Sequence, residues 1–341
     1  MKPKHADSPD TLQSVTVQAP ARLHLGFLDL NASIGRRFGS LGLAVDSHYT
    51  RLTVSCAEQV SISGGKLSDD THARLLKISE RFYQGPGRQL ASTSRAAVRI
   101  DDLIPAHAGL GSGTQLALTL GTALARLHQL DISTTSLAQQ LGRGQRSGIG
   151  IATFDQGGFI VDGGLKPQQT VPPLLMHQAF PADWRVVMIM DQHHQGIHGQ
   201  HEKQAFRDLP VFPLSHAQAI CHKTLMQLLP ALAEQDIEQF GAAITDIQAL
   251  IGDHFAEAQG GRYTSPRIAA CLRQAQQLGH KGIAQSSWGP TGCVFVSSAQ
   301  QAQKLIGQLS DFIESDHPSA AIPQFISAQP DNRGAIIETV S

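Results

Sequence analysis

Three glycines spaced two apart, Gly109, Gly111 and Gly113, lie in the run Pro-Ala-His-Ala-Gly-Leu-Gly-Ser-Gly-Thr at residues 105–114. Positions without a Cβ let a chain turn tightly and bring its backbone against a ligand. Behind them Leu116, Leu120, Leu124 and Leu127 recur at helical spacing, which predicts a helix over 115–127 with one buried stripe. A glycine-rich turn opening into a helix N-terminus presents unpaired N–H groups and the positive end of the helix dipole. The chemistry implied is the binding of a phosphate-bearing anion; the plainer alternative is a glycine-rich helix entrance without a ligand. A second such turn, Gly-Arg-Gly-Gln-Arg-Ser-Gly-Ile-Gly at 142–150, carries Arg143 and Arg146. Guanidinium forks bind phosphate oxygens in pairs, so these two are anion-binding candidates, with a solvated loop as the alternative. Arg22 and His24 fall on one face of an alternating segment, which favours a ligand-facing surface over a partly exposed strand edge.

The elements that position these groups alternate along the chain. Residues 21–28, 40–45, 51–55 and 96–100 read as strands, 72–83 and 134–141 as helices, and 159–161 as a strand between glycine pairs. Four prolines within 166–181 place a domain boundary there. Beyond it a strand is expected at 185–190, helices at 215–229, 234–251 and 265–278, strands at 282–286 and 292–296, a helix at 299–313 and a last strand at 334–340. That order predicts a ferredoxin-like α+β layer with an inserted helical pair. The expected organisation is a disordered tail over 1–14, an N-terminal phosphate-binding domain over 15–165 and a C-terminal domain over 182–341.

Composition narrows the function classes. With 341 residues, two domains are the expectation. A formal net charge of −1 offers no basic field for nucleic acid or an anionic membrane, so any anion site is local. Cys56, Cys221, Cys271 and Cys293 are far apart and form no CxxC pair, which points to neither a zinc knuckle nor a disulfide framework. No segment approaches the length of a membrane span, and the polar start lacks a signal-peptide core, so a cytoplasmic protein is expected.

The loop at 105–114 resembles the phosphate loop of the GHMP small-molecule kinase superfamily, typically P-x-x-x-G-L-G-S-S-A. Within that superfamily the chain is most similar to the β-ribofuranosylaminobenzene 5′-phosphate synthase family. Four stretches carry the match: residues 20–29 (Pro-Ala-Arg-Leu-His-Leu-Gly-Phe-Leu-Asp), 109–115, 142–150 with 157–164, and 285–292 (Gln-Ser-Ser-Trp-Gly-Pro-Thr-Gly). The resemblance implies a GHMP-type two-domain α+β fold, with a ribosomal-S5-domain-2-like N-terminal part and a ferredoxin-like C-terminal part. It further implies a reaction of methanopterin biosynthesis. Phosphoribosyl pyrophosphate is joined to 4-hydroxybenzoate or 4-aminobenzoate with loss of pyrophosphate and carbon dioxide. A homodimer is expected by the same likeness, as is Mg2+ accompanying the pyrophosphate, with no redox cofactor.

Departures from the kinase pattern bear on the chemistry. Gly113 stands where those kinases commonly have a magnesium-holding serine, and Gly150 where S-G-x-D supplies the aspartate facing a substrate hydroxyl. Without that acceptor, phosphoryl transfer to an alcohol is the second reading and a non-catalytic phosphate or nucleotide sensor the third. On the transferase reading, His107, Gly109, Gly111, Ser112, Gly113 and Thr114 hold the pyrophosphate with Arg22, Arg143 and Arg146. Asp29, Asp155 and His24 are the catalytic candidates, and either carboxylate is available as proton acceptor or magnesium ligand; a cap or turn aspartate is the alternative for each. Ser287 and Trp288 come from the second domain, with Trp288 placed to stack on the aromatic acid or to pack in a core. Arg36 and Arg37 lie in a loop able to cover the site. His194, His198 and His201 would share a helix face at zinc-holding spacing, but Gly196 and Gly199 interrupt it, so no metal site is assigned. Gly196, Gly199, Glu202 and Phe206 match a G-x-x-G-x-x-E-x-x-A-F pattern of the family, which makes Glu202 a substrate-binding candidate. The ordinary phosphoribosyltransferase signature is missing its second acid, since Gln192 follows Asp191.

Overall fold

The computed structural model describes residues 12–65, 67–194, 196, 204, 207–316 and 322–341. The alternating segment around residue 23 extends into a long strand, β1 (Ser14–Asp29), antiparallel to β2 (Phe38–Ala57). Both carry irregularities where the sequence looks broken. The polar group Asp46, Ser47 and His48 separates the two strands expected within β2, yet the chain runs through it. The pairing slips at Pro20/Ala21, and the Asp46 carboxylate accepts from the Gln329 N–H at 2.7 Å.

Strand β3 (Ser61–Gly64) and helix α1 (Asp69–Gln84) follow, then β4 (Arg95–Asp102), α2 (Ser112–Leu127), α3 (Thr134–Gln140) and α4 (Ile149–Gln156). Strands β5 (Phe159–Asp162) and β6 (Leu174–Gln178) complete this half before β7 (Arg185–Met190) begins the other. The first sheet runs β1–β2–β4–β3, with β5 on β2 and β6 on β5. Its helical face buries Val15, Val17, Leu52, Phe82, Leu116, Leu124 and Phe154.

The second half supplies β8 (Gly282–Gln285), β9 (Thr291–Val296) and β10 (Gln324–Ala328). The sheet order β10–β7–β9–β8 is the ferredoxin-like arrangement of a β-α-β-β-α-β unit. Helices Pro266–Gln277 and Ala299–Asp316 cover one face through Ile268, Leu272, Leu305 and Leu309. The other face turns Met188, Cys293 and Phe295 toward helix Ile237–Gln259 and toward Leu23 and Leu25 of β1. A single apolar core therefore runs from one sheet to the other. Burial of that much apolar surface fixes the two halves against each other.

Two expectations change. The last strand, expected to close the second sheet, is β11 (Ile336–Val340), and it pairs with β1 instead, Val17 opposite Ile337. β10 takes its place beside β7; its Gln-Phe-Ile-Ser-Ala pattern is too short and mixed to announce a strand. The proline-bearing segment 166–181 also holds β6, so the first sheet continues past residue 165. Helix α4 is hidden in the sequence because its first turn belongs to the glycine-rich run at 142–150.

Candidate active site

Helix α2 is pinned by its apolar face, so its N-terminus has a fixed direction. Gly111 caps it at φ 80°, offering no side-chain acceptor to the first turn. Ser112 and Gly113 line an open cleft there with Gly109, Gly111, Thr114 and His107. Arg22, on β1, lies across the loop: its Nη1 donates to the Gly109 carbonyl at 2.6 Å, and its backbone N–H to Leu110 at 3.1 Å. Only a glycine at 111 permits this, because a Cβ would stand 2.9 Å from the Arg22 Cγ. Arg143 enters from the turn after α3, and Arg74 from α1. The Arg143 Nε is buried without a hydrogen-bond acceptor, and burial together with the charges of Arg74 and Arg81 holds its pKa below the ordinary guanidinium value. The cleft is thus a cationic cradle.

The second half of the molecule closes the cradle. Ser286 Oγ accepts from the His24 backbone N–H at 3.0 Å and donates to the Gly109 carbonyl at 2.8 Å. Thr291 Oγ1 donates to the Ala108 carbonyl at 2.7 Å. Gly289 and Gly109 meet backbone to backbone; a Cβ on Gly109 would be 3.1 Å from the Gly289 Cα. These contacts explain the Ser- and Gly-rich composition of residues 286–291. Ser287 adopts φ 57°, unusual for a residue with a side chain, and donates its N–H to the His24 carbonyl at 2.9 Å. Held this way, Ser287 and Trp288 border the cradle on one side and a second cleft on the other.

That second cleft is lined by His24, Phe27, Ile251, Phe255 and Trp288, with Gln248, Gln259, Gln285 and Arg262 at its polar edge. Trp288 is 5% exposed and packs on Phe255, ring centroids 4.6 Å apart. Two glutamines knit the wall: Gln248 donates to the Leu25 carbonyl at 2.7 Å and accepts from the Gln285 N–H at 2.9 Å. The His24 pKa is pushed down to about 3, first by burial and then by the charges of Arg22 and Arg146. At neutral pH its imidazole is uncharged. Arg143 lines the cradle, whereas Arg146 lines neither cleft and reaches the site only through the effect of its charge on His24.

The structure separates several other candidates from these clefts. Asp29 caps a turn, accepting from the N–H groups of Asn31 and Ala32 at 2.7 and 3.0 Å. Asp155 lies at the far end of α4 and hydrogen-bonds the Thr134 side chain. Neither carboxylate lines the cradle or the apolar cleft. Arg36 donates to the carbonyls of Gly163 and Gly164 at 3.0 and 2.9 Å, fastening a loop away from the site. Glu202, His198, His201, Gly199 and Phe206 lie outside the described residues. Gly196 is described, and a Cβ there would stand 2.7 Å from the Gly289 Cα, so Gly196 itself lies directly against the Trp288–Gly289 turn.

Two supporting residues fall outside the expected site residues, one inside the family-matching stretch 157–164 and one in no motif. Asp162, 1% exposed, accepts from the N–H groups of Gly148 and Gly164 at 2.8 and 2.9 Å and from Ser147 Oγ at 3.2 Å. It anchors the turn that carries Arg146. Arg74 is the other, since no glycine run marks it. A signal exists all the same: Arg74 and Arg81 are seven apart, flanking the stripe of Leu75, Ile78 and Phe82.

The place of the missing kinase aspartate is also filled. A Cβ on Gly150 would lie 2.9 Å from the Thr114 Cγ2, so Thr114 occupies the space that a side chain at 150 would need.

Known proteins share this organisation. Residues 74–162 match the family model "GHMP kinases N terminal domain" and residues 228–315 match "GHMP kinases C terminal". Homoserine kinase from Cytophaga hutchinsonii superposes with a TM-score of 0.72 at 18% identity, covering 98% of this chain and all of that one. Lactococcus lactis galactokinase does so with a TM-score of 0.70 at 15% identity, covering 96% of each chain. Both likenesses are of fold. In sequence, the chain is 32% identical over 308 residues to beta-ribofuranosylphenol 5′-phosphate synthase of Archaeoglobus fulgidus, covering 87% of this chain and 91% of the relative. It is 31% identical over 254 residues to the protein of the same name from Methanocaldococcus jannaschii, covering 69% and 76%. With its GHMP-type fold and this match along most of its length, the chain belongs to the beta-ribofuranosylphenol 5′-phosphate synthase family.

Proposed function

We propose that the chain is a decarboxylating phosphoribosyl transferase of methanopterin biosynthesis. It joins phosphoribosyl pyrophosphate to 4-hydroxybenzoate or 4-aminobenzoate and releases pyrophosphate and carbon dioxide. One observation carries the reading: a cationic cradle and an aromatic-walled cleft meet at Ser287 and Trp288. Two substrates of opposite character, one highly anionic and one an aromatic ring, are thereby brought edge to edge. Filling of the Gly150 position by Thr114 weighs against the kinase reading.

The steps follow from charge and position. Pyrophosphate departs from C1 of the ribose, leaving an oxocarbenium-like centre, while the first-turn N–H groups of α2 and the guanidinia of Arg22 and Arg143 hold the leaving anion. The ring, electron-rich from its para hydroxyl or amine, attacks C1 through the carbon that bears the carboxylate. The new carbon–carbon bond takes the place of the bond to pyrophosphate. Loss of carbon dioxide then returns the electron pair to the ring and restores aromaticity. Uncharged His24 accepts a hydrogen bond from the para hydroxyl or amine as positive charge builds there. Burial is the larger cause of its low basicity; an anionic substrate beside Arg22 offsets the smaller part that comes from that charge.

A protein-held magnesium does not fit the cradle. Among the described residues its lining has no carboxylate, and guanidinia occupy its walls; magnesium favours carboxylate and phosphate oxygens. Mg2+ is therefore assigned to the substrate's own oxygens.

Carbon dioxide release from carboxyl-labelled 4-hydroxybenzoate and 4-aminobenzoate, with phosphoribosyl pyrophosphate and Mg2+, tests the function. Release that requires both substrates is expected. Turnover of ATP with a small alcohol, and no release, would replace it with the kinase reading.

A further inference from the structure

The cradle contains one arginine that no motif accounts for. Arg74 projects from α1, and its Nη2 lies 3.1 Å from the point where a Cβ on Gly113 would stand; the Arg143 Nη1 lies 3.5 Å from that same point. Two guanidinia thus converge on the N-terminus of α2 from different elements. Among the described residues, the carboxylate nearest to pairing with either is Asp70, 3.8 Å from Arg74 and 73% exposed in its side chain. An exposed partner at that distance neutralises little charge. The pair is held together against its own repulsion, an arrangement that an anion between the two would relieve.

We propose that Arg74 and Arg143 form a two-pronged clamp on one phosphate of the pyrophosphate leaving group, and that Gly113 is glycine so that the prongs can close. This rests on the proposed transferase function and assigns Arg74 a contact with substrate. Each guanidinium offers a planar fork to two phosphate oxygens, one on either side of the space left open above Gly113. A serine at 113, as in the kinase loop, would start its side chain closer than ordinary contact to the Arg74 fork and in contact with the Arg143 fork, so the Arg74 end would have to give way.

Calorimetric titration of the purified full-length protein with inorganic pyrophosphate tests the clamp apart from turnover. Wild type is expected to bind, with Arg74→Ala roughly ten- to a hundred-fold weaker, the scale of a lost charge-assisted hydrogen bond. Arg74→Lys should recover only part of the loss, because an ammonium keeps the charge and lacks the fork. Gly113→Ser should weaken binding in the same direction, while Arg99→Ala, whose side chain is exposed on β4 and lines neither cleft, should leave it unchanged. In steady state, Arg74→Ala should raise KM for phosphoribosyl pyrophosphate and leave KM for the aromatic acid alone. Melting temperatures of the unliganded variants check that each remains folded. If wild type binds pyrophosphate and Arg74→Ala binds it equally, the clamp is overturned while the cradle stands. If wild type does not bind pyrophosphate, both fall.

Discussion

The two clefts on either side of Ser287 and Trp288 are built from opposite materials. The cradle is made of backbone N–H groups and guanidinia, and its positive charge comes from β1, α1 and the turn after α3. The neighbouring cleft is made of aromatic and aliphatic walls, with an imidazole kept neutral by burial. The difference suits a reaction in which one partner loses an anion and the other supplies ring electrons. A cleft of uniform character would serve only one of them. The divide between them is thin, two residues from the second half of the molecule, Ser287 and Trp288, which line both clefts.

The largest expected effect concerns the neutral imidazole. His24 binds its proton more weakly folded than unfolded, so between about pH 6.5 and pH 3 the unfolded chain holds more protons. Stability should fall as pH drops through that window, by on the order of 5 kcal/mol from this group, and be unaffected by it above pH 7. Urea unfolding at stepped pH should show that slope in wild type and lose much of it in His24→Gln. An identical slope would mean that the imidazole is not kept neutral.

On the cradle side, Arg143→Ala should lower kcat/KM for phosphoribosyl pyrophosphate by about 100- to 1000-fold, the range seen when one anion-stabilising donor is removed. Gly150→Asp would insert the kinase carboxylate against Thr114 and is expected to cost about 1–3 kcal/mol of stability by overpacking, without creating ATP-dependent phosphoryl transfer. Thermal unfolding and an ATP-consumption assay check the two halves of that statement. The smallest effect belongs to the aromatic wall. Phe255→Leu should raise KM for the aromatic acid several-fold, about 1 kcal/mol, and leave that for phosphoribosyl pyrophosphate unchanged. A variant on either side that weakened both substrates equally would erase the distinction between the clefts.

Much of the cradle is legible in the amino-acid sequence, because its chemistry is local along the chain. Residues 105–114 announce a turn and a helix N-terminus by themselves, and the four matching stretches identify the family. The apolar cleft is not legible in the same way. Its walls come from β1, from helix Ile237–Gln259 and from the 285–288 turn, and neither Ile251 nor Phe255 differs in sequence from any other buried helical residue. Arg74 is obscured for the same reason: its role depends on how α1 lies against α2. Asp29 and Asp155 line neither cleft; in sequence, a carboxylate near a motif reads the same whether it serves substrate, caps a turn as Asp29 does, or bonds a neighbouring side chain as Asp155 does. In the fold, the course of the chain's end is hidden, since a pairing between β1 and β11 joins residues more than three hundred positions apart.

The most direct test of the central claim is the bond formed in the product. Wild-type protein given phosphoribosyl pyrophosphate and 4-hydroxybenzoate labelled with carbon-13 at the ring carbon bearing the carboxylate can be followed by carbon-13 NMR. The account predicts that this labelled carbon becomes bonded to C1 of the ribose, with one carbon dioxide and one pyrophosphate released per product. A product that keeps its carboxyl group, or that is joined through the ring oxygen, would contradict it.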